Sequence, residues 1–293
     1  VIPDAFDYAE AHSIVEAVEL LGHYRDDAKI LAGGHSLIPL LRFRLAAPTV
    51  LIDISKVDEL EYMHEADGAL HIGAMTRESA LDTSSLILER YPILHDTAMS
   101  IADPTVRNWA TIGGNLAHAD PANDHPATML ALNASIVITG PAGQRVIPVT
   151  EFFTDIAFET ALQPDELLTE IRIPMPGERA GSAYVKLKRK IGDYAIIGVA
   201  ACVELDTNGV VTQAGIALTN AAPYSIKARD AEQFLVGKSL DDATLHQVAD
   251  LAAADAHPLS DGRGPAEYKQ AMVRTLCVRA LRLALARANG RDL

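Results

Sequence analysis

Apolar positions along the chain change their period more than once, and each change marks an element. Ile14, Val18 and Leu21 recur at helical spacing behind Ser13-Ile-Val-Glu16, a capping-box pattern, and Gly22 stands where a short helix would stop. A helix over residues 13–21 is predicted. Residues 28–31 read as a strand running into Ala32-Gly33-Gly34-His35-Ser36, and residues 50–54 as the next strand. Residues 69–73 predict a strand, 77–82 and 86–91 helices, and 135–139 a hairpin with 144–149 across Gly140-Pro-Ala-Gly143. Further on, residues 183–191, 195–204 and 210–218 predict an antiparallel meander with turns at Gly192-Asp193 and Asp206-Thr-Asn-Gly209. Helices follow at about 227–236, 240–255 and 265–288, the last with Met272, Val273, Leu276, Ala280 and Leu283 on one stripe. The fold class is α+β.

Pro174, Pro176 and two glycines interrupt regular structure near residue 177, which places a domain boundary there. Charge divides at the same point. Residues 1–177 hold 10 basic and 26 acidic side chains, and residues 178–293 hold 15 and 13. The whole chain carries a formal charge of −14, so affinity for nucleic acid or an anionic membrane is not expected, and any anion must be held locally. Cys202 and Cys277 are too few to ligate an iron–sulfur cluster and form no zinc motif. No apolar run approaches the roughly 20 residues of a membrane span, so no direct membrane anchor is expected, and residues 1–20 lack a secretory pattern. A cytoplasmic location is the expectation, with any membrane association made through partners.

Two diglycine turns carry the strongest local chemistry. Gly33-Gly34 and Gly113-Gly114 each permit close backbone approach, so that successive N–H groups can converge on phosphate oxygens without a lysine-rich pocket. Neither has the Gly-x-Gly-x-x-Gly or Gly-Lys-Ser/Thr form, which weakens Rossmann and P-loop readings. Ser36 is either a plain N-cap or a phosphate ligand, with His35 shaping the loop. Asp124, ahead of Pro126, either caps a helix or accepts hydrogen bonds from the hydroxyls of a sugar or ribityl chain. Lys186, Lys188 and Lys190 alternate and share a strand face, either solvated or with one lysine turned to a phosphate. Tyr194 at a tight turn is either a ring-stacking group or an ordinary packed tyrosine, and Trp109 is read as packing. His118, Asp120, Asp124 and His125 lack a specific metal-ligand spacing, and no hydrolase triad can be assembled.

Taken together, Ala32-Gly-Gly-His-Ser-Leu-Ile-Pro39, Thr111-Ile-Gly-Gly-Asn115, Asp120-Pro-Ala-Asn-Asp124 and Lys186-Leu-Lys-Arg-Lys-Ile-Gly-Asp-Tyr194 resemble the FAD-binding medium subunits of molybdenum hydroxylases of the xanthine dehydrogenase type. Within that family the resemblance is closest to the flavoproteins of aerobic, molybdenum-containing carbon monoxide dehydrogenase, and it includes Ser260-Asp-Gly-Arg-Gly-Pro-Ala-Glu-Tyr268.

The resemblance implies an FAD domain of the vanillyl-alcohol oxidase/MurB-like type over residues 1–177, with two α+β subdomains at about 1–55 and 56–177. A three-stranded antiparallel sheet with a helix bundle follows over 178–293. It further implies that Ala32, Gly33, Gly34, His35 and Ser36, with Thr111, Ile112, Gly113, Gly114 and Asn115, hold the FAD pyrophosphate. Asp124 would contact the hydroxyl chain of the flavin, Leu168 and Lys186 would approach from later strands, Ile101 and Ala102 would line the pocket, and Tyr194 would lie beside the isoalloxazine. No residue of this chain would be catalytic. The implied partners are a small iron–sulfur subunit with 2Fe–2S clusters and a large subunit with the molybdenum cofactor, as a dimer of heterotrimers that passes electrons to a quinone or another acceptor. Carbon monoxide is the expected substrate, an N-heterocycle or aldehyde the alternative. A stand-alone flavoprotein oxidase and a non-catalytic nucleotide-binding module are the competing readings.

Overall fold

The computed structural model describes residues 2–291 and contains three sheets, each with its own helical cover. The first is parallel: β1 (Asp7–Glu10) and β2 (Ala28–Leu31) flank β3 (Val50–Asp53), joined through α1 (Ile14–Tyr24) and α2 (Leu37–Arg42). Ser13 caps α1 by accepting from Glu16 N, as the sequence predicts. The helix does not end at Gly22, however. It runs on to Tyr24 and is closed by Arg25 in a positive-φ conformation, because a glycine inside a turn costs little where Ala17, Val18 and Leu21 anchor the helix on its sheet.

The second sheet has the order β4-β5-β8-β6-β7. Its strands are β4 (Met63–Ala66), β5 (Ala69–Gly73), β6 (Ser135–Gly140), β7 (Gly143–Pro148) and β8 (Leu167–Pro174). The β6–β7 hairpin forms in the predicted place, with Ser135 opposite Pro148 and Gly140 opposite Gly143. β8 inserts between β5 and β6 and completes a core of Leu70, Ile72, Ile136, Ile138, Ile171 and Ile173. The helices that cover it are α3 (Glu78–Thr83), α4 (Ser85–Arg90), α5 (Pro92–Ser100), α6 (Pro104–Arg107), α7 (Ile112–His118), α8 (His125–Ala131) and α9 (Val149–Phe152).

The third sheet is antiparallel and has four strands rather than three. β9 (Ala180–Leu187), β10 (Ile197–Leu205) and β11 (Val211–Thr219) form the expected meander, and the two residues of β12 (Ile226–Lys227) add an edge. α10 (Arg229–Leu235), α11 (Asp242–Asp255) and α12 (Ala266–Ala288) complete the chain. Residues of β10 alternate between two cores: Val199, Ala201 and Val203 join the cluster under α12, whereas Ala200 packs with the residues of α8. Burial on both faces explains the unbroken apolar run from Ala195 to Cys202. Two glycines set the approach distances. A Cβ at Gly181 would lie 2.0 Å from Ala284 O of α12, and one at Gly215 2.0 Å from Ala131 O of α8. The buried stripe of α12 is Val273, Leu276, Cys277, Ala280, Leu281, Ala284 and Ala288. Met272 and Leu283 lie only at its margin, since the stripe drifts along so long a helix.

Candidate cofactor site

The two diglycine loops, 80 residues apart in sequence, lie against each other. A Cβ on Gly33 would fall 2.2 Å from Trp109 O and 2.9 Å from Ala110 Cα, so only glycine allows this approach. A Cβ on Gly114 would come within 3.7 Å of Ala32 Cβ. The loops differ in what their amides do. In the first, the N–H groups of residues 33–36 donate to no acceptor among the described residues, and Gly34 turns the chain at φ +74°. Ser36 starts α2 without a side-chain capping bond, which leaves its hydroxyl available, and His35 faces solvent. Consecutive free amides around a left-handed residue form an anion cradle.

In the second loop every amide from residue 112 to 115 is already engaged. Ile112 N donates to Thr76 O, Gly113 N to Ala74 O, Gly114 N to Thr111 Oγ1 and Asn115 N to Thr111 O. Gly113 is required by Ala74, whose backbone a Cβ would overlap, rather than by a ligand. Asn115 keeps a buried Oδ1 without a partner among the described residues, and its carbonyl accepts from Asn123 Nδ2 at 3.0 Å. The first loop thus supplies amide donors, and the second a wall with a buried polar side chain.

Asp124 precedes α8 but does not cap it with its side chain. Its carboxylate accepts from Tyr184 Oη at 2.6 Å and Lys186 Nζ at 2.7 Å. The Lys186 side chain is 3 % exposed and that of Asp124 5 %. Lys186 is therefore matched to a carboxylate at the junction of α8 and β9 and not turned to a phosphate. β9 ends at Leu187, so Lys188 and Lys190 are not on the strand. Lys188 nevertheless shares an acceptor with Lys186, both donating to Ser100 O at 3.3 and 3.2 Å. Burial, aided by the neighbouring Lys186 and Arg107 charges and opposed by Asp124, pushes the Lys188 ammonium below its ordinary value. Ser100 leads into Ile101, buried, and Ala102, held at φ +40°, while Arg107 Nη1 donates to Ile101 O at 3.1 Å. Lys186 and Lys188 thus converge on Ser100 O beside Ile101 and Ala102, with Lys186 matched to Asp124 and Arg107 paired with Asp82 at 3.5 Å.

Tyr194 stands in the 188–196 excursion between β9 and β10, 42 % exposed. Burial of its hydroxyl and the charges of Asp120 and Asp124 raise its pKa, while Arg263 lowers it. Leu168 lies elsewhere: it is buried in the core of the second sheet, opposite Ile138. Trp109 is not core packing. Its ring is exposed beneath the Arg77 guanidinium, and its backbone makes the contact with Gly33. His118 packs on Phe158, and burial lowers its pKa.

Sequence reasoning missed three features. Tyr184 bridges Asp124 to Thr219 from β9, and only the alternation of that strand could have aimed it there. Lys188 bonds a backbone carbonyl, Ser100 O, which neither a solvated row nor a lysine turned to a phosphate describes. Glu78 and His125, both fully buried, meet at 2.8 Å beneath the second loop, and no sequence signal joins them.

The family described as "FAD binding domain in molybdopterin dehydrogenase" matches residues 4–176, and the "CO dehydrogenase flavoprotein C-terminal domain" matches residues 182–284. The chain belongs to the FAD-binding medium-subunit family of the molybdopterin dehydrogenases. It is 45 % identical to the carbon monoxide dehydrogenase medium chain of Afipia carboxidovorans, covering 99 % of this chain and 100 % of that one. It is 38 % identical to 6-hydroxypseudooxynicotine dehydrogenase complex subunit alpha of Paenarthrobacter nicotinovorans over 98 % of this chain and 97 % of that one. Among solved structures, carbon monoxide dehydrogenase from Hydrogenophaga pseudoflava superposes with a TM-score of 0.95 at 44 % identity, covering 98 % of this chain and 99 % of that one. Quinoline 2-oxidoreductase from Pseudomonas putida 86 gives 0.91 at 33 % identity, covering 98 % and 99 %. Among the described residues no helix is long and apolar enough to cross a membrane.

Proposed function

We propose that the chain is the FAD-binding electron-transfer subunit of a molybdenum hydroxylase in which a partner subunit oxidises carbon monoxide to carbon dioxide. One observation carries the reading: a loop of free amides packed against a second glycine loop, in a chain that matches carbon monoxide dehydrogenase medium chains along its whole length. The residues fit the cofactor, since the amides of residues 33–36 and the Ser36 hydroxyl form a ready-made diphosphate cradle. FAD, when bound, exchanges single electrons with iron–sulfur centres and electron pairs with an acceptor.

The chain's own residues bind and orient. Ala32, Gly33, Gly34, His35 and Ser36 form the diphosphate side, and Thr111, Ile112, Gly113, Gly114 and Asn115 the facing wall. Asp124 has carboxylate lone pairs beyond those used by Tyr184 and Lys186 and would accept from a flavin hydroxyl. Ile101, Ala102, Lys186 and Tyr194 would border the isoalloxazine, whereas Leu168, buried opposite Ile138, would not reach it. The FAD-binding unit is residues 1–177, with subdomains near 1–55 and 56–177, and the C-terminal unit is residues 178–293. Two cysteines cannot ligate a cluster, which supports placing the 2Fe–2S clusters in a small partner subunit and the molybdenum cofactor in a large one. The proposed assembly is a dimer of heterotrimers, cytoplasmic or membrane-associated through its partners, with a quinone or another electron acceptor.

The test is anaerobic addition of carbon monoxide to the complex purified with both partners. Bleaching of the visible flavin band is the expected result. A flavin bleached by an N-heterocycle or an aldehyde but not by carbon monoxide would reassign the substrate, and a complex without flavin would overturn the reading.

A further inference from the structure

The turn that carries Tyr194 is gripped by a distant loop. Arg263 lies just before α12, 69 residues further along the chain. Its guanidinium sits over the Tyr194 ring at 5.3 Å and 3.5 Å from Asp193 Oδ1. Arg189, at the other end of the turn, donates to Asp193 Oδ2 at 3.1 Å and to Gly262 O at 3.2 Å. The gripping loop is itself fixed. Asp261 accepts from Arg263 N and Gly264 N with Oδ1, while its Oδ2 accepts from Lys269 Nζ of α12 at 2.8 Å. Lys269 is 1 % exposed, so its ammonium ties the loop to the interior of the C-terminal layer. The base of the turn is held by Lys188 on Ser100 O, Ile196 N on Leu187 O and Asn220 Nδ2 on the carbonyls of Ala195 and Ile196, so it is the tip, residues 190–194, that depends on these arginine contacts. The turn extends past the last β9–β10 pair, Leu187 with Ile197, and Ile191 at its tip is 82 % exposed. A ring on so open a turn would explore several rotamers, and a planar cation over its face restricts them.

We propose that Arg263 is a positioning residue for Tyr194, locking the ring in place from the C-terminal layer. The proposal rests on the placement of Tyr194 beside the flavin. Arg263 makes no contact with substrate or acceptor in this account, and its effect passes through the ring. A cation–ring contact of this exposure corresponds to roughly a two- to fivefold bias in the population of the locked turn.

The experiment uses the complex co-expressed with its partner subunits and compares Arg263→Met, Tyr194→Ala and the double variant. Two quantities are read: amide hydrogen exchange of residues 190–196, and the visible circular dichroism of the flavin with its rate of reoxidation. Arg263→Met is expected to speed exchange of the turn roughly two- to fivefold. It is also expected to shift the flavin signal in the same direction as Tyr194→Ala, with no further shift in the double variant. Arg263→Lys, which keeps the charge but loses the planar fork, is expected to behave like Arg263→Met and serves as the second variant if the first fails to assemble. Unchanged turn exchange in both Arg263 variants overturns the proposal. So does a flavin shift that adds fully to that of Tyr194→Ala. A Tyr194→Ala complex with an unaltered flavin signal, beside faster exchange in Arg263→Met, would instead remove Tyr194 from the flavin and leave only a structural clamp, which also overturns it.

Discussion

Ala102 adopts φ +40° without being a glycine, between the C-terminal end of α5 and the start of α6. An L-residue in the left-handed region costs about 1 kcal/mol, and such strain persists where the surrounding structure demands it. Ala102→Gly is therefore expected to raise unfolding stability by about 1 kcal/mol, read as a shift in the denaturant midpoint. An unchanged or lowered midpoint would contradict the assignment of strain. Gly33 tests the opposite case. Gly33→Ala places a methyl against Trp109 O and should destabilise by roughly 1–3 kcal/mol through overpacking, whereas Gly22→Ala, with open space around it, should be neutral or stabilising. Both diglycine pairs were legible in the sequence, but their roles were not, because identical residues serve packing at Gly113 and backbone approach at Gly33. That difference depends on what the fold brings opposite each of them.

At the scale of elements, two polar pairs join segments whose order the sequence does not specify. Glu78 at the start of α3 and His125 at the start of α8 are both fully buried, and Glu78 Oε1 and His125 Nδ1 have no partner among the described residues. Removing one member of such a pair leaves the other uncompensated, so Glu78→Ala is expected to cost about 3–5 kcal/mol, measured by chemical denaturation of the complex. A loss below about 1 kcal/mol would mean the pair is not carrying the joint. Arg145 of β7 grips Glu166 ahead of β8 through two bonds of 2.8 and 2.7 Å. The Arg145 bonds hold the Glu166 carboxyl below its ordinary value, against an opposing effect of burial. A depressed folded pKa contributes stability that is fully present above the ordinary carboxylate range and is lost as pH falls through the folded value. Glu166→Gln should accordingly destabilise at neutral pH, with the gap to the parent closing in acid below about pH 4. A gap independent of pH would contradict the pairing. The β6–β7 hairpin and the β9–β11 meander were readable because local turn chemistry specifies them. β8 was not, since both its partners, β5 and β6, lie well before it in the chain.

Across the whole molecule, the C-terminal sheet is covered by α12 on one face and by α8 of the FAD-binding unit on the other, so the two family regions share a core. Arg287 of α12 donates to both oxygens of Asp96 on α5, at 2.6 and 2.9 Å, and Lys186 of β9 reaches Asp124 before α8. These cross-unit pairs lie between residues far apart in the chain, so the charge split between the halves was readable in the sequence while this junction was not. The same junction borders the proposed flavin site, so cofactor retention should depend on the loops and the interface together. The FAD content of the complex purified with its partner subunits, released and identified by chromatography, tests this most directly. The parent should hold FAD in equimolar amount, and Gly34→Val and Gly114→Val should lose most of it while still assembling. Full FAD in both variants, or a parent complex that carries none and takes up none on reconstitution, would contradict the account.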